Sequence, residues 1–286
     1  MSHLILRKQT LNPECFLIEM EAPHVAERFC AGQFVIIRLH DRSERIPLTV
    51  ADVDKNAGSI TLIFQTVGKT TMELSSWKKG DRILNCVGPL GNPTEIKKFG
   101  RVVCVGGGTG IACIYPIVKA LHQAGNEVTA VIGARTEAML ILEKELRECS
   151  RELMVATDDG SRGHKGFVTE VLQRIVAESA NHPDRRIDRV ITIGPPHMMK
   201  AAACVTKDHN IPTVASLNTI MVDGTGMCGC CRAYVDDQMK LACIDGPEFD
   251  AHKTDFDDVI SRLQMFRSKE KQALRDYHKR TGGRDG

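Results

Sequence analysis

The pattern of apolar and polar positions changes character about a third of the way along the chain. Before residue 100, short apolar runs rich in β-branched residues lie at 35–39, 60–64 and 82–87. Turn signals such as those at 56–58 and 79–81 separate the runs. Long helical periodicity is missing from this part. The pattern therefore predicts a small antiparallel β-barrel as the domain of residues 1–99.

Strand and helix patterns alternate through the middle of the chain. Apolar patterns predict four strands, at 101–105, 128–135, 153–157 and 189–193. Helical patterns lie between the strands, among them those at 140–146 and 168–177. This alternation predicts an α/β domain of residues 100–215 with a doubly wound parallel sheet. Ligands of such a sheet bind beyond the carboxyl ends of its strands.

The last part of the chain combines a cysteine-rich loop with a helical pattern. The loop predicts a third unit at residues 216–248. Apolar residues then recur at helical spacing, namely Phe256, Val259, Ile260, Leu263 and Phe266. A Lys- and Arg-rich end follows them. We expect residues 249–286 to form a docking helix with a frayed, solvated end.

Composition narrows the class of protein. The chain of 286 residues is 42% hydrophobic and 26% charged with a net charge of +2, which gives no case for a nucleic-acid partner. The start of the sequence lacks the apolar core of a signal peptide. The longest apolar run, 102–118, is interrupted by four glycines, so we expect no membrane partner. Eleven cysteines in such a chain favour a reducing, cytoplasmic location and metal or redox use.

The cysteine-rich loop has the spacing of a metal site. With Asp223 read as a ligand, the order D-x₄-C-x₂-C…C runs through Cys228 and Cys231 to Cys243. The plant-type [2Fe–2S] spacing is the same except that cysteine stands first. Interspersed glycines permit the tight backbone turns that such a loop needs. The spacing predicts a [2Fe–2S] cluster held by these four residues.

Two other interpretations of the loop stay open at this point. The cysteines could be small buried residues, or the four ligands could hold zinc, although structural zinc favours cysteine and histidine over aspartate. Asp223 could cap a turn instead of ligating, and Cys230, adjacent to Cys231, should point elsewhere.

Two short motifs in the predicted barrel suit a nucleotide. Arg45 is a candidate phosphate clamp, and it precedes Pro47, Leu48 and Thr49. The run Gly68-Lys69-Thr70 offers backbone amides, an ammonium and a hydroxyl to a pyrophosphate. Each motif alone is equally compatible with a solvated strand or loop.

A glycine run in the second domain has a more specific context. Gly107, Gly108, Thr109 and Gly110 follow a strand and precede a helix. In that position the backbone can approach a pyrophosphate at the helix N-terminus. The run predicts a dinucleotide site.

Charged residues after the later strands bear on which dinucleotide binds. Arg135 could clamp a 2′-phosphate, which would favour NADP(H). Glu137, Asp158 and Asp159 favour free ribose hydroxyls and hence NAD(H). On balance the charges favour NAD(H).

These motifs together resemble the ferredoxin-NADP⁺ reductase superfamily. The resemblance implies that the barrel binds FAD through Arg45, Pro47, Leu48 and Thr49, with Gly68, Lys69 and Thr70 near the diphosphate. Leu48 stands where the family often has tyrosine. It also implies NAD(H) at the glycine run, with the loop at Gly194 and Pro195 at the nicotinamide end.

With the cysteine loop included, the chain resembles electron-transfer subunits of that superfamily. Such subunits occur in type B dihydroorotate dehydrogenase and in NADH-dependent reduced ferredoxin:NADP⁺ oxidoreductase. In the latter family, aspartate takes the first ligand position. This nearer resemblance implies transfer of electrons between NAD(H), FAD and the [2Fe–2S] cluster. It further implies a heterodimer with a larger flavin and [4Fe–4S] subunit, an indirect link to ferredoxin, and electron bifurcation. The alternatives are a dihydroorotate-type partner and a non-catalytic, zinc-containing nucleotide sensor.

Overall fold

The structure is a computed structural model that describes residues 2–282. Its strands are β1 His3–Thr10, β2 Cys15–Glu21, β3 Phe34–Arg38, β4 Arg45–Asp54, β5 Ser59–Gln65, β6 Arg82–Ile83, β7 Asn85–Leu90, β8 Arg101–Gly107, β9 Glu127–Ala134, β10 Glu152–Thr157, β11 His164–Lys165, β12 Arg189–Ile193, β13 Thr213–Ser216, β14 Arg232–Val235, β15 Gln238–Leu241 and β16 Glu248–Asp250. Its α-helices are α1 Pro23–Arg28, α2 Lys69–Ser76, α3 Gly110–Gln123, α4 Glu143–Glu148, α5 Val168–Asn181, α6 Pro196–Lys207, α7 Phe256–Gln264 and α8 Arg267–Thr281.

The first seven strands form one antiparallel sheet in the order β6-β1-β2-β5-β4-β3-β7. Its two edge strands, β6 and β7, are separated in sequence by Leu84 alone. The sheet must therefore curl until its edges meet, and the predicted barrel is confirmed. Alternate side chains point into the barrel and form an apolar core around Ile18, Val35 and Leu62.

The second sheet has the order β11-β10-β9-β8-β12-β13-β16. All neighbouring strands are parallel except β16, which pairs antiparallel with β13. Separate apolar clusters lie on its two faces, one beneath α3 and one beneath α5 and α6. The strand order reverses between β8 and β12, which is where a doubly wound sheet opens a crevice for ligand.

The cysteine-rich segment is a loop followed by the β14–β15 hairpin. It leaves the parallel sheet after β13 and returns to the same sheet as β16. The segment is consequently anchored at both ends to the edge of the parallel sheet.

The structure corrects two local expectations and adds one detail to the first domain. The helix expected at 140–146 begins only at Glu143, because Leu142 adopts a left-handed backbone with φ 56°. The first third contains two short helices, α1 and α2, which are too short to show periodicity in the sequence. The end that we expected to be frayed is the 15-residue helix α8, which is rich in the strong helix formers Lys and Arg.

Within residues 2–282, none of the helices is both long enough and apolar enough to cross a bilayer.

Candidate functional site

A cavity of about 730 Å³ opens at the carboxyl ends of the parallel strands. The barrel residues Asn12, Cys15 and Gln65 close one side of it. Six predicted site residues line the cavity, namely Gly107, Gly108, Thr109, Arg135, Asp158 and Pro195. Its size falls within the range of small-molecule and cofactor sites.

The glycine run brings α3 close to the floor of this cavity. A Cβ built on Gly110 would lie 2.2 Å from the carbonyl oxygen of Ile193, and one built on Gly107 would lie 2.4 Å from Sδ of Met198. Larger residues would push the start of α3 away from β12. Gly194 packs beneath the same turn, and a Cβ built on it would lie 3.2 Å from the amide nitrogen of Gly107. The predicted glycine run therefore fits a dinucleotide whose phosphates approach the helix N-terminus.

Arg135 lies at the rim of the cavity but is already paired. Its Nη2 donates to both carboxylate oxygens of Glu14 at 3.0 Å, across the boundary between sheet and barrel. Nε2 of Gln65 donates to the same carboxylate at 2.6 Å. The hydrogen bond from Gln65 and the pairing with Arg135 together lower the pKa of Glu14. Glu14 thus neutralises the one candidate clamp for a 2′-phosphate.

The two neighbouring aspartates have different surroundings. Asp158 lines the cavity. Asp159 instead accepts hydrogen bonds from the amide and the hydroxyl of Ser161, at 3.0 and 2.6 Å, and holds its own turn together. Only Asp158 is thus placed to meet a ribose.

Strand β4 packs against the start of α3. Thr49, half-buried on β4, lies opposite Phe34 in the barrel register. Its Oγ1 is 3.3 Å from Sγ of Cys113 on α3. Arg45 is exposed at the beginning of the same strand. Arg45 and Thr49 therefore lie on one face of β4, beside the start of α3 that borders the dinucleotide cavity.

The glycine-lysine-threonine run forms the start of α2 rather than a loop. Gly68 precedes the helix, and its amide donates to Oγ1 of Thr71 at 3.1 Å. Lys69 is half-buried at the first helical position. The Thr70 hydroxyl is buried and donates to Glu44, the neighbour of Arg45, at 3.0 Å. This contact holds the N-terminus of α2 beside Arg45. The proton of the Thr70 hydroxyl is used in the hydrogen bond to Glu44.

The β14–β15 hairpin brings two cysteines together. Cys231 directly precedes β14 and Cys243 follows β15, and both side chains are buried. Their Sγ atoms are 3.3 Å apart. A disulfide would require about 2.05 Å, so these are free thiols in contact. Burial and the neighbouring Cys231 raise the pKa of the Cys243 thiol to about 12, so a metal that binds here must displace a proton.

The preceding loop is organised by Asp223. Its Oδ1 accepts from the amide of Thr225 at 2.9 Å, and its Oδ2 accepts from the amide of Cys228 at 2.7 Å. The hydrogen bond from Thr225, together with that from Cys228, lowers the pKa of Asp223. Burial by itself would raise the pKa of the Cys228 thiol. Hydrogen bonds between this thiol and the backbone of Cys230 and Asp223 outweigh burial, so the pKa of Cys228 is lowered. Both groups are stabilised in the charged forms that bind iron.

The cysteine loop packs directly on the barrel. Gly224 has φ 73°, and a Cβ placed on it would lie 2.6 Å from Leu90 and 2.9 Å from Ile36. Ile36 pairs across β3 and β4 with Pro47. The loop therefore lies against the strand next to the one that carries Thr49 and Arg45.

The donor set of this loop suits iron and sulfide. Three thiols and one carboxylate belong to one glycine-bent loop and its hairpin, and the carboxylate retains lone pairs beyond its two amide bonds. No group of three or more His, Cys, Asp or Glu side chains in residues 2–282 is already arranged around a single ion. Cys230 is half-buried, and its Sγ turns back toward the carbonyl oxygen of Cys228 at 3.8 Å, as expected for a residue outside the ligand set.

Sequence reasoning missed the residues that join the sites. Glu14 and Gln65 close the cavity from the barrel, and Cys113 connects Thr49 with α3. None belongs to a motif, because each acts through a contact between distant segments. The one visible signal was Cys113, which lies four residues after the Thr109 of the glycine run.

Two protein families match this arrangement. The family "Oxidoreductase NAD-binding domain" matches residues 104–204, which contain the cavity-lining glycine run. The family "Iron-sulfur cluster binding domain of dihydroorotate dehydrogenase B" matches residues 218–255, which contain all four predicted ligands. The iron–sulfur interpretation of the loop is confirmed over the zinc alternative.

Whole-chain relatives agree with these matches. The chain is 46% identical, over 97% of its length and 96% of the relative's, to the "Dihydroorotate dehydrogenase B (NAD(+)), electron transfer subunit homolog" of Thermotoga maritima. It is 32% identical over 86% of its length, and 94% of the relative's, to the electron transfer subunit of Desulforamulus reducens. A solved structure of NADH-dependent reduced ferredoxin-NADP oxidoreductase superposes with a TM-score of 0.90 at 45% identity, covering 97% of this chain and 98% of the other.

These relatives span the barrel, the parallel sheet and the cysteine loop together. The cofactors expected from the sequence, FAD, NAD(H) and a [2Fe–2S] cluster, agree with the fold and with both matched families. The chain belongs to the family of the electron transfer subunits of dihydroorotate dehydrogenase B and their homologues.

Proposed function

We propose that this chain carries electrons between NAD(H) and a larger partner subunit by way of FAD and a [2Fe–2S] cluster. The observation that carries the proposal is the contiguity of three sites. Thr109 lines the dinucleotide cavity. Cys113 contacts both Thr109 and Thr49. The barrel strands beside Thr49 pack against the cysteine loop.

Each unit has a separate task in this proposal. Residues 1–99 bind FAD, residues 100–215 bind NAD(H), residues 216–248 hold the cluster, and residues 249–286 form the C-terminal helices. When bound, FAD accepts two electrons as hydride and releases them singly, which a one-electron cluster requires.

The residues of the dinucleotide cavity bind and orient NAD(H). The backbone of Gly107, Gly108, Thr109 and Gly110 holds the pyrophosphate, and Asp158 accepts from a ribose hydroxyl. Gly194 and Pro195 shape the nicotinamide end. Arg135 and Asp159 act at the rim through their contacts with Glu14 and Ser161. No proton needs to be moved by a side chain for hydride transfer, so we assign no catalytic acid or base.

The face of β4 that carries Arg45 and Thr49, termed the flavin groove, and the cysteine loop hold the other two cofactors. Arg45, Pro47, Leu48 and Thr49 flank the flavin, with Gly68, Lys69 and Thr70 at the diphosphate end. Asp223, Cys228, Cys231 and Cys243 ligate iron. Cys231 and Cys243 are buried and Cys228 is exposed, so the proposed ligands extend from the interior of the hairpin to the surface.

The relatives are subunits of complexes, and a larger subunit receives or supplies the electrons. Apolar side chains surround Cys228 at the surface, with Met227 89% exposed, Ile244 46% and Val222 39%. Exposed apolar groups gathered at one site indicate a protein interface. We propose that a larger flavin and [4Fe–4S] subunit docks here in a cytoplasmic heterodimer, and that ferredoxin interacts with that subunit.

Two activities of the complex are compatible with this subunit. We favour NADH-dependent reduced ferredoxin:NADP⁺ oxidoreduction with flavin-based bifurcation, because the relative of that kind covers 97% of this chain at 45% identity. The alternative is a dihydroorotate dehydrogenase complex, supported by the name of the matched iron–sulfur family. Electron transfer subunits that carry the name of that enzyme show 31–36% identity over 77–86% of this chain, and the Thermotoga homologue shows 46% over 97%.

Cofactor content of the complex tests the proposal. The chain should be purified anaerobically with its larger subunit, and the iron and flavin of each subunit should be measured. We expect about one FAD and about two irons in this chain, with further iron in the partner. A partner without [4Fe–4S] clusters that oxidises dihydroorotate would favour the alternative. Zinc in place of iron in this chain would overturn both.

A further inference from the structure

Cys113 contacts both the flavin groove, at Thr49, and the dinucleotide loop, at Thr109. It lies in the first turn of α3 and is half-buried. Its Sγ is 3.3 Å from Oγ1 of Thr49 and 3.7 Å from the carbonyl oxygen of Thr109. Thr49 belongs to the barrel, whereas Thr109 lines the dinucleotide cavity. A single sulfur thus connects side-chain and backbone groups of two cofactor sites.

The thiol has one proton and two acceptors within reach. Burial raises the pKa of Cys113, so the group carries its proton at neutral pH. When the S–H donates to Oγ1 of Thr49, the proton of the Thr49 hydroxyl is free to be donated into the flavin groove. When the S–H donates to the carbonyl oxygen of Thr109, the Thr49 hydroxyl can donate to the sulfur instead. The two arrangements differ in whether the Thr49 hydroxyl can donate a hydrogen bond into the flavin groove.

We propose that Cys113 is a positioning residue that directs the hydroxyl proton of Thr49 toward the flavin and couples this direction to the dinucleotide loop at Thr109. The inference rests on the proposed function, which places Thr49 beside the flavin. A dinucleotide phosphate that accepts from the amides of this turn polarises their peptides and makes the Thr109 carbonyl a better acceptor for the thiol. The S–H then turns to Thr109 and the Thr49 hydroxyl donates to the sulfur, so the Thr49 proton is drawn away from the flavin when NAD(H) is bound and is presented to it when the dinucleotide is absent.

The test compares Cys113→Ala, which removes the donor, with Cys113→Ser, which keeps one. Both are made in the full chain loaded with FAD and cluster. The first readout is the visible absorption and midpoint potential of bound FAD, with and without NAD⁺. The second is the rate constant for flavin reduction by NADH in stopped flow. We expect Cys113→Ala to shift the flavin spectrum, to abolish the change that NAD⁺ causes, and to change the rate constant of reduction about 2- to 10-fold, the worth of one hydrogen bond.

Cys113→Ser should restore the response to NAD⁺ and largely the wild-type rate, because the hydroxyl can still donate to either acceptor. Cys204→Ala is the matched control, since Cys204 is an exposed cysteine of the same domain on α6. It should leave both readouts as in the wild type. Equal defects in Cys113→Ser and Cys113→Ala, or wild-type behaviour of Cys113→Ala, would overturn the proposal.

Thr49→Val separates this proposal from the one it rests on. If Thr49→Val perturbs the flavin spectrum and Cys113→Ala does not, the role of Cys113 is refuted while the flavin groove stands. If Thr49→Val leaves the flavin spectrum unchanged, the assignment of Thr49 to the flavin site fails and the inference falls with it. Where both single variants act, the double variant should be no worse than Thr49→Val alone, because the thiol works through that hydroxyl.

Discussion

The Sγ atoms of Cys231 and Cys243 lie 3.3 Å apart although the residues are twelve positions apart in the chain. The β14–β15 hairpin produces this contact, with the amide of Ala242 donating to the carbonyl oxygen of Cys231 at 3.0 Å. The spacing between these two ligands is therefore set by a hairpin register and not by a flexible loop. In the proposed cluster site, Cys228 and Asp223 of the adjoining loop would complete this preformed pair of thiols.

Loss of either hairpin cysteine should abolish cluster binding. In Cys231→Ser and Cys243→Ser we expect iron content to fall from about two per chain to near zero, because a hydroxyl replaces a thiolate of the buried pair. The measurement is iron and sulfide analysis after anaerobic reconstitution. FAD content should stay unchanged, since the barrel has its own core.

Cys230→Ser is the matched control for these variants. Its sulfur turns away from the pair, toward the carbonyl oxygen of Cys228. Iron should be retained in full. Iron loss in this variant, with retention in Cys231→Ser, would show that the assigned ligand set is wrong.

Asp223 should make cluster retention sensitive to acid. Its pKa is lowered in the folded loop, so the stabilisation that its carboxylate provides is present above the ordinary aspartate value of about 3.9. That stabilisation is lost as pH falls through the lowered folded pKa. We expect Asp223→Ala to lose iron faster than the wild type at neutral pH, and to alter the electron paramagnetic resonance of the reduced cluster.

Asp223→Asn distinguishes ligation from turn formation. The amide oxygen can still accept a hydrogen bond from the Cys228 or Thr225 backbone, but it is a poor iron ligand. An altered resonance in Asp223→Asn with normal loop stability supports ligation. An unaltered resonance in both variants removes Asp223 from the ligand set and leaves it as the residue that organises the turn.

Glu14 should contribute to the preference for NADH over NADPH. Glu14→Gln removes the charge that pairs with Arg135 and leaves the guanidinium available to a 2′-phosphate. Because the pair is exposed, we expect a modest rise of about 2- to 5-fold in the ratio of kcat/KM for NADPH over NADH. Steady-state flavin reduction with both nucleotides measures it. A double variant, Glu14→Gln with Arg135→Ala, should return the ratio to the wild-type value, and a persistent rise there would contradict the role of Arg135.

Met227 should anchor the partner subunit. Met227→Asp places a charge at a side chain that is 89% exposed beside the cluster, and desolvating that charge should weaken association about 10-fold or more. The dissociation constant for the larger subunit measures the effect. Met265→Asp is the control, since Met265 is 60% exposed on the C-terminal segment. Equal weakening by both variants would argue against docking at the cluster.

Features of the fold that show a regular period or a characteristic residue spacing could be predicted from the sequence. The β-branched runs predicted the barrel, and the alternation of strands and helices predicted the parallel sheet, because both depend on which side chains face a core. The glycine run and the cysteine spacing were equally informative, since each imposes a local backbone geometry. The ligand order from Asp223 to Cys243 indicated the iron–sulfur family that residues 218–255 match.

Contacts between distant segments could not be predicted in this way. The pairing of Glu14 with Arg135 joins residues 121 positions apart, and Cys113 reaches Thr49 over 64 positions. The return of β16 to the parallel sheet is a three-residue pairing without a sequence signal of its own. Helix α8 was misjudged because its charge indicated solvation, whereas its residue types favour helix.

Anaerobic stopped-flow mixing of the FAD- and cluster-loaded chain with NADH tests the central claim most directly. The account predicts that the flavin absorbance is bleached first and that the cluster is reduced afterwards, with both steps retained in the absence of the partner subunit. In the Cys243→Ser protein, only the bleaching should remain. A chain that takes up neither FAD nor iron on reconstitution, or whose flavin absorbance is unchanged by NADH, would contradict the account.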